Sequence, residues 1–113
     1  SLAGTTSYVN NGKVDWGNKE VVEQRYVSEF IRERLVKLGI KKFSEGKPET
    51  IKAGPLAHIQ TIFKVDGSDT NKNIDKMVKA LHPTPAVCGL PQGDAYSLIE
   101  KVEPHERKFY TGF

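Results

Sequence analysis

Glu20 and Glu23 are the first residues in this sequence whose type and spacing suggest chemistry. They lie three apart at the start of a helical pattern, so they share a face one turn apart. The apolar stripe of that pattern is Val27, Phe30, Ile31, Leu35 and Leu38, and stepping back four residues from Val27 reaches Glu23. Both carboxylates therefore point toward the buried side. A carboxylate facing inward is costly unless it is paired or bound to a cation. Two such oxygen donors suit Mg²⁺, which takes one or two carboxylates and keeps waters for a substrate anion. Acids in a first helical turn also favour the helix dipole while staying wet, and spacing alone favours that plainer reading.

Other candidates are scattered along the chain. His82 to Pro91 contains three prolines and a glycine among apolar residues, and it reads as an irregular loop. Such a loop serves equally as a ligand wall or as a buried connector. His58 precedes an apolar β-prone run and suits either proton transfer or a structural hydrogen bond. The pair Gly4-Thr5 offers a backbone N–H and a hydroxyl to an anion. Tyr110, beside Gly112, has a hydroxyl that can reach a ligand or pack in a sheet. Cys88 stands alone, which excludes an internal disulfide and a multi-thiolate zinc site, and it reads as a small buried hydrophobe. His58, His82 and His105 have no zinc-ligand spacing.

The elements that must position these residues follow from pattern. Asn18 is a plausible N-cap for a helix over Lys19 to Leu38, and Gly39 stops it. Lys41 to Pro48 is a polar connection. Thr50 to Ala53 suggests a strand ended by Pro55, and Ile59 to Val65 a second strand ended at Asp66-Gly67. A second helix fits Ile74, Met77, Val78 and Leu81, and Pro83 ends it. A third fits Ala95, Leu98, Ile99 and Val102, with Pro91 near its start. Asn10-Asn11-Gly12 is a turn, and Lys108 to Phe113 reads as a strand.

The 113 residues suffice for one domain, with 37% hydrophobic and 27% charged residues. That balance excludes a disordered chain. The net charge of +3 permits an anionic ligand without requiring nucleic acid. Lys41-Lys42 and the pair Lys72 and Lys76 are too sparse for a basic stripe. A small basic module for an anionic partner is the reading from another class. No apolar run approaches the ~20 residues of a membrane span. A cytoplasmic setting is the default expectation. The first residue is Ser1, and Phe113 falls inside a β-prone run, so residues 1–113 are expected to be a single partial domain of something longer.

The segments together resemble the isochorismate synthases, a group within the chorismate-utilising enzymes. The most specific stretch is Leu81-His82-Pro83-Thr84-Pro85-Ala86-Val87-Cys88-Gly89-Leu90-Pro91, followed by Ala95, Ile99, Glu103, Arg107, Tyr110 and Gly112. Leu2-Ala3-Gly4-Thr5 resembles the group's L-A-G-T segment. Lys19-Glu20-Val21-Val22-Glu23-Gln24 resembles K-[DE]-x-x-E-H, and Leu56-Ala57-His58-Ile59 resembles V-Q-H-L. Gln24 departs from the usual His, and Thr6 stands where Arg often follows G-T.

The resemblance implies an α+β fold of mainly antiparallel sheets with outer helices, to which this piece contributes one long helix, two shorter ones and several strands. It implies Mg²⁺ on Glu23 with Glu20 beside it, and chorismate as substrate. Gly4, Thr5, His58, Ala86 and Tyr110 would then contact the substrate. Alanine at Ala86, where amine-adding and pyruvate-releasing relatives usually have Thr, implies a reaction that stops at isochorismate. A salicylate- or anthranilate-type relative is the alternative. The product enters menaquinone or siderophore synthesis. The family's base lysine and acid glutamate belong to segments upstream of Ser1. Its second metal glutamate, its substrate arginine and its G-A-G segment belong downstream of Phe113. No catalytic acid or base is thus expected within these residues. The piece alone is expected to be inactive and to self-associate through uncovered strand edges.

Overall fold

A computed structural model describes residues 1–8, 13–67 and 74–105. The turn expected at Asn10-Asn11-Gly12 and the strand expected over Lys108 to Phe113, with Tyr110, lie outside the described residues. Within them the chain is α+β. β1 (Leu2–Ser7) leads to α1 (Asn18–Lys37), then β2 (Phe43–Glu45), β3 (Glu49–Ala53), β4 (Leu56–Gln60) and β5 (Phe63–Val65). Three helices follow: α2 (Ile74–Leu81), α3 (Pro85–Cys88) and α4 (Gln92–Val102).

α1 is the long helix that the apolar spacing anticipates. Its ends differ slightly from expectation, because Gly17 takes the N-cap position and Asn18 is the first helical residue, with no side-chain cap. Its C-terminus is a Schellman closure. Leu38 caps the helix and Gly39 follows at φ +79°. The Gly39 N–H donates to Val36 O at 2.9 Å and the Ile40 N–H to Leu35 O at 3.1 Å. Leu35 and Ile40 are both buried, so the cap also seals the core.

That core lies between α1 and the sheet. Val27, Phe30, Ile31, Leu35 and Ile40 form one cluster with Ala3 of β1. Leu38, Phe43, Phe63, Val65, Met77 and Leu81 pack around it. The main sheet is antiparallel, in the order β1-β4-β3, and β2 pairs with β5 as a separate antiparallel ribbon.

Two expectations need correction here. The polar connection after α1 contains a strand, β2, whose Phe43 packs on the core. The run Ile59 to Val65 is two strands, β4 and β5, in different sheets. The change of sheet occurs at Thr61, which is fully buried and receives a hydrogen bond from Gln24 Nε2 at 2.7 Å on its hydroxyl.

α2 occupies the expected span, with Met77 and Leu81 against the core and Ile74 exposed. The segment expected to be irregular between Pro83 and Pro91 winds into one helical turn, α3, with proline at its first position. α4 forms where the periodicity places it, but Leu98 and Val102 are 62% and 69% exposed. The other two residues of the stripe, Ala95 and Ile99, are half-buried.

Candidate functional site

The geometry begins at Gly4. β1 and β4 pair Ala3 with Ile59 and Thr5 with His58, and the register slips between them, so Gly4 is the extra residue of a bulge. Its φ of +79° lies in the left-handed region. A Cβ built there would lie 2.9 Å from Glu20 O, 3.2 Å from Glu20 Cβ and 3.2 Å from Ile59 Cδ1. Only a bare backbone lets the first turn of α1 settle on the strand this closely.

The next residue turns the other way. The Thr5 hydroxyl and His58 Nδ1 are 2.9 Å apart. Ala57 and Ile59 on either side of His58 are buried against α1, so His58 projects from the opposite face of the sheet. Consecutive residues of β1 thus join a carboxylate helix on one side to a histidine on the other.

Glu20 and Glu23 are both half-buried. Glu20 folds back over the N-cap, where a Cβ on Gly17 would meet Glu20 Oε2 at 2.7 Å. An acid in the first turn is favourable to the helix dipole, which is the plainer reading of this residue. Glu23 sits on the wall of a cleft of about 630 Å³ between α1 and the proline-rich segment. Tyr26 and Val27 continue that wall, and Pro85, Gly89, Leu90 and Pro91 form the other. Clefts of ~300–1,000 Å³ are of small-molecule size. Neither carboxylate takes part in a hydrogen bond or ion pair among the described residues. Half-withdrawn, unpaired carboxylates are suitable donors for a hard cation. No cluster of three or more His, Cys, Asp or Glu suited to a metal occurs among the described residues. Of the two carboxylates only Glu23 lies on the cleft wall, while Glu20 turns toward Gly17 at the N-cap.

The other sequence candidates are placed less centrally. Ala86 is exposed in α3, beside cleft-lining Pro85 but not itself on the cleft wall. Cys88 is buried, in accord with its reading as a small hydrophobe. The structure thus brings together Gly4 with Glu20, Thr5 with His58, and Glu23 with the proline-rich segment.

Gln24 entered the sequence reading only as a departure from the usual His, and its burial was missed. It is 2% exposed, and its Nε2 donates to Ser1 Oγ at 3.1 Å and Thr61 Oγ1 at 2.7 Å. Its Oε1 is buried without a partner. The signal available in sequence was its spacing of three before Val27 and four before Ser28, both buried. The true inward stripe passes through Gln24 and leaves Glu23 at its margin.

Comparison with known proteins gives a consistent result. Residues 13–113 match the family described as chorismate binding enzyme. The isochorismate synthase DhbC of Bacillus subtilis (strain 168) is 41% identical over 66 residues, covering 58% of this chain and 17% of that protein. The isochorismate synthase MenF of Haemophilus influenzae is 30% identical over 122 aligned positions, covering 99% of this chain and 27% of that protein. A crystal structure assigned as a 2,3-dihydroxybenzoate-specific isochorismate synthase, DhbC from Bacillus anthracis, superposes with a TM-score of 0.83 at 29% identity. That match covers 99% of this chain and 32% of the other. The chain thus spans a third or less of the length of these relatives.

Proposed function

The chain belongs to the chorismate-binding enzyme family, and on that premise we propose that it is part of an Mg²⁺-dependent isochorismate synthase. The observation that carries this reading is the cleft. It sets Glu23 of the K-E-x-x-E segment against Pro85, Gly89, Leu90 and Pro91 of the H-P-T-P-A-V-C-G-L-P segment. Two motifs that lie some sixty residues apart in sequence share one concave surface of small-molecule size. The curated relatives named above carry the name isochorismate synthase, which favours that member of the family.

In this reading Glu20 and Glu23 hold the metal. When bound, Mg²⁺ anchors a substrate carboxylate and offsets charge as the allylic hydroxyl departs. Gly4 supplies the bare backbone that lets Glu20 approach the sheet. The Thr5 hydroxyl and His58 Nδ1 share a hydrogen bond; in the tautomer whose Nδ1 accepts from Thr5, Nε2 carries the proton and can donate to a ligand oxygen. The family resemblance assigns His58 to the enolpyruvyl side of chorismate; it lies on the sheet face away from α1 and does not line the Glu23 cleft. The family resemblance assigns Tyr110, outside the described residues, to a substrate carboxylate. The small side chain of Ala86 belongs with a reaction that ends at isochorismate, without loss of pyruvate. The groups that activate water and protonate the leaving hydroxyl come from other parts of the parent protein, so residues 1–113 alone do not turn over chorismate. The product supplies menaquinone or siderophore synthesis. A cytoplasmic setting for the assembled enzyme belongs to the same proposal.

The test is product analysis of the full-length protein given chorismate and Mg²⁺, with pyruvate measured by coupled reduction to lactate. Isochorismate without pyruvate is expected. Stoichiometric pyruvate would assign the protein to the salicylate- or anthranilate-type relatives instead.

A further inference from the structure

One wall of the cleft belongs to α1 and the other to the segment from Pro83 to Pro91, so its width depends on what fastens the second to the first. Arg34, in the last turn of α1, donates through Nη2 to Gln92 Oε1 at 2.8 Å. The Nε2 of Gln92 donates to Pro83 O at 3.0 Å and lies 3.7 Å from Cys88 Sγ. Gln92 thus spans from α1 to both ends of the turn that carries Pro85, Ala86 and Gly89. Arg34 is itself aligned, because its guanidinium lies 4.9 Å from the ring centroid of buried Phe30.

The bridge has a chemical requirement. A guanidinium only donates and a backbone carbonyl only accepts, so the residue between them must accept at one end and donate at the other. A side-chain amide does both. The requirement also fixes the amide's orientation, since the flipped form would set NH₂ against guanidinium and oxygen against oxygen.

We propose that Gln92, held by Arg34, is a positioning residue that sets the spacing of the cleft by clamping the proline-rich wall to α1. It touches no reacting atom and acts through the wall it holds. The consequence for substrate binding rests on the functional reading above; the clamp itself does not.

Gln92→Glu and Gln92→Leu in the full-length protein test it. Glutamate keeps the acceptor for Arg34 but loses both donations to the loop, so the fold is retained while the wall is released. Hydrogen exchange of the amides of Val87, Cys88 and Gly89 is expected to quicken on the order of tenfold in both variants, with β1 and β4 unchanged. Alkylation of the Cys88 thiol, followed by peptide mass spectrometry, is expected to quicken alongside. KM for chorismate is expected to rise about tenfold with kcat within about threefold, whereas simple loss of folded protein lowers apparent kcat and leaves KM alone. Unchanged exchange in Gln92→Glu overturns the clamp. Faster exchange with unchanged KM overturns its positioning role. Faster exchange in a protein whose parent makes no isochorismate upholds the clamp and overturns only the substrate reading.

Discussion

Gly4→Ala separates the two reasons for a glycine at the β1 bulge, and Gly39→Ala is its natural control. Both glycines have a φ of +79°, so alanine pays the same left-handed backbone cost of ~1–2 kcal/mol at each. They differ in surroundings. A Cβ at Gly39 meets nothing within 4 Å, whereas at Gly4 it meets Glu20 O at 2.9 Å, with Glu20 Cβ and Ile59 Cδ1 at 3.2 Å. Ile59 is buried and Glu20 O is backbone, so relief requires α1 to lift from the sheet. Overpacking of this kind costs a further ~1–3 kcal/mol. Gly4→Ala is therefore expected to lose ~2–5 kcal/mol, and Gly39→Ala only the backbone share. Urea unfolding of the full-length protein, followed by circular dichroism, measures both. Because the lifted turn carries Glu20, Gly4→Ala is also expected to raise the Mg²⁺ concentration needed for half-maximal activity, and Gly39→Ala is not. Equal losses of stability in the two variants, or equal Mg²⁺ requirements, would refute the account of Gly4 as the contact that seats the carboxylate helix.

Three further outcomes follow from the same structure. Glu23→Gln keeps the shape of a half-buried side chain that has no described partner, so stability should change by less than ~0.5 kcal/mol; activity should fall on the order of 100-fold or more, as when an electrostatic stabiliser is removed. Leu35→Ala empties a position that is 1% exposed at the centre of the α1 core and should cost ~2–5 kcal/mol in the same urea assay, with the Mg²⁺ requirement unchanged. The 113-residue chain expressed alone should convert no chorismate and should elute as an oligomer, because Leu90, Leu98 and Val102 are exposed apolar surface; light scattering on the eluted peak and a product assay check both.

Much of this architecture was legible because local signals agreed with tertiary ones. α1 has an apolar stripe, a stop glycine and a hydrophobic residue just beyond it, and the Schellman closure uses all three. α2 was legible for the same reason, and α4 from its local periodicity alone. Spacing placed Glu20 and Glu23 one turn apart in α1 and gave nothing of their surroundings. Which side of Glu23 faces the core was decided by Gln24, a buried amide that no apolar pattern marks. β2 was hidden because three residues, only one of them apolar, carry too little periodicity to register. The split of β4 from β5 turns on Thr61, whose burial depends on Gln24 from a distant helix. The Thr5–His58 bond and the Gly4–Glu20 contact depend on strand register, which a single sequence does not display. The proline-rich segment read equally as a ligand wall or a buried connector, and its one-turn helix and its fastening through Gln92 needed three dimensions.

The most direct test of the central claim follows an oxygen atom. Isomerisation of chorismate to isochorismate by this route adds a hydroxyl from water at one ring carbon as the original hydroxyl leaves from another. The full-length protein, incubated with chorismate and Mg²⁺ in ¹⁸O-labelled water, should yield isochorismate carrying one solvent oxygen, with no pyruvate released. Isochorismate without label, or pyruvate in step with chorismate consumed, would contradict the account.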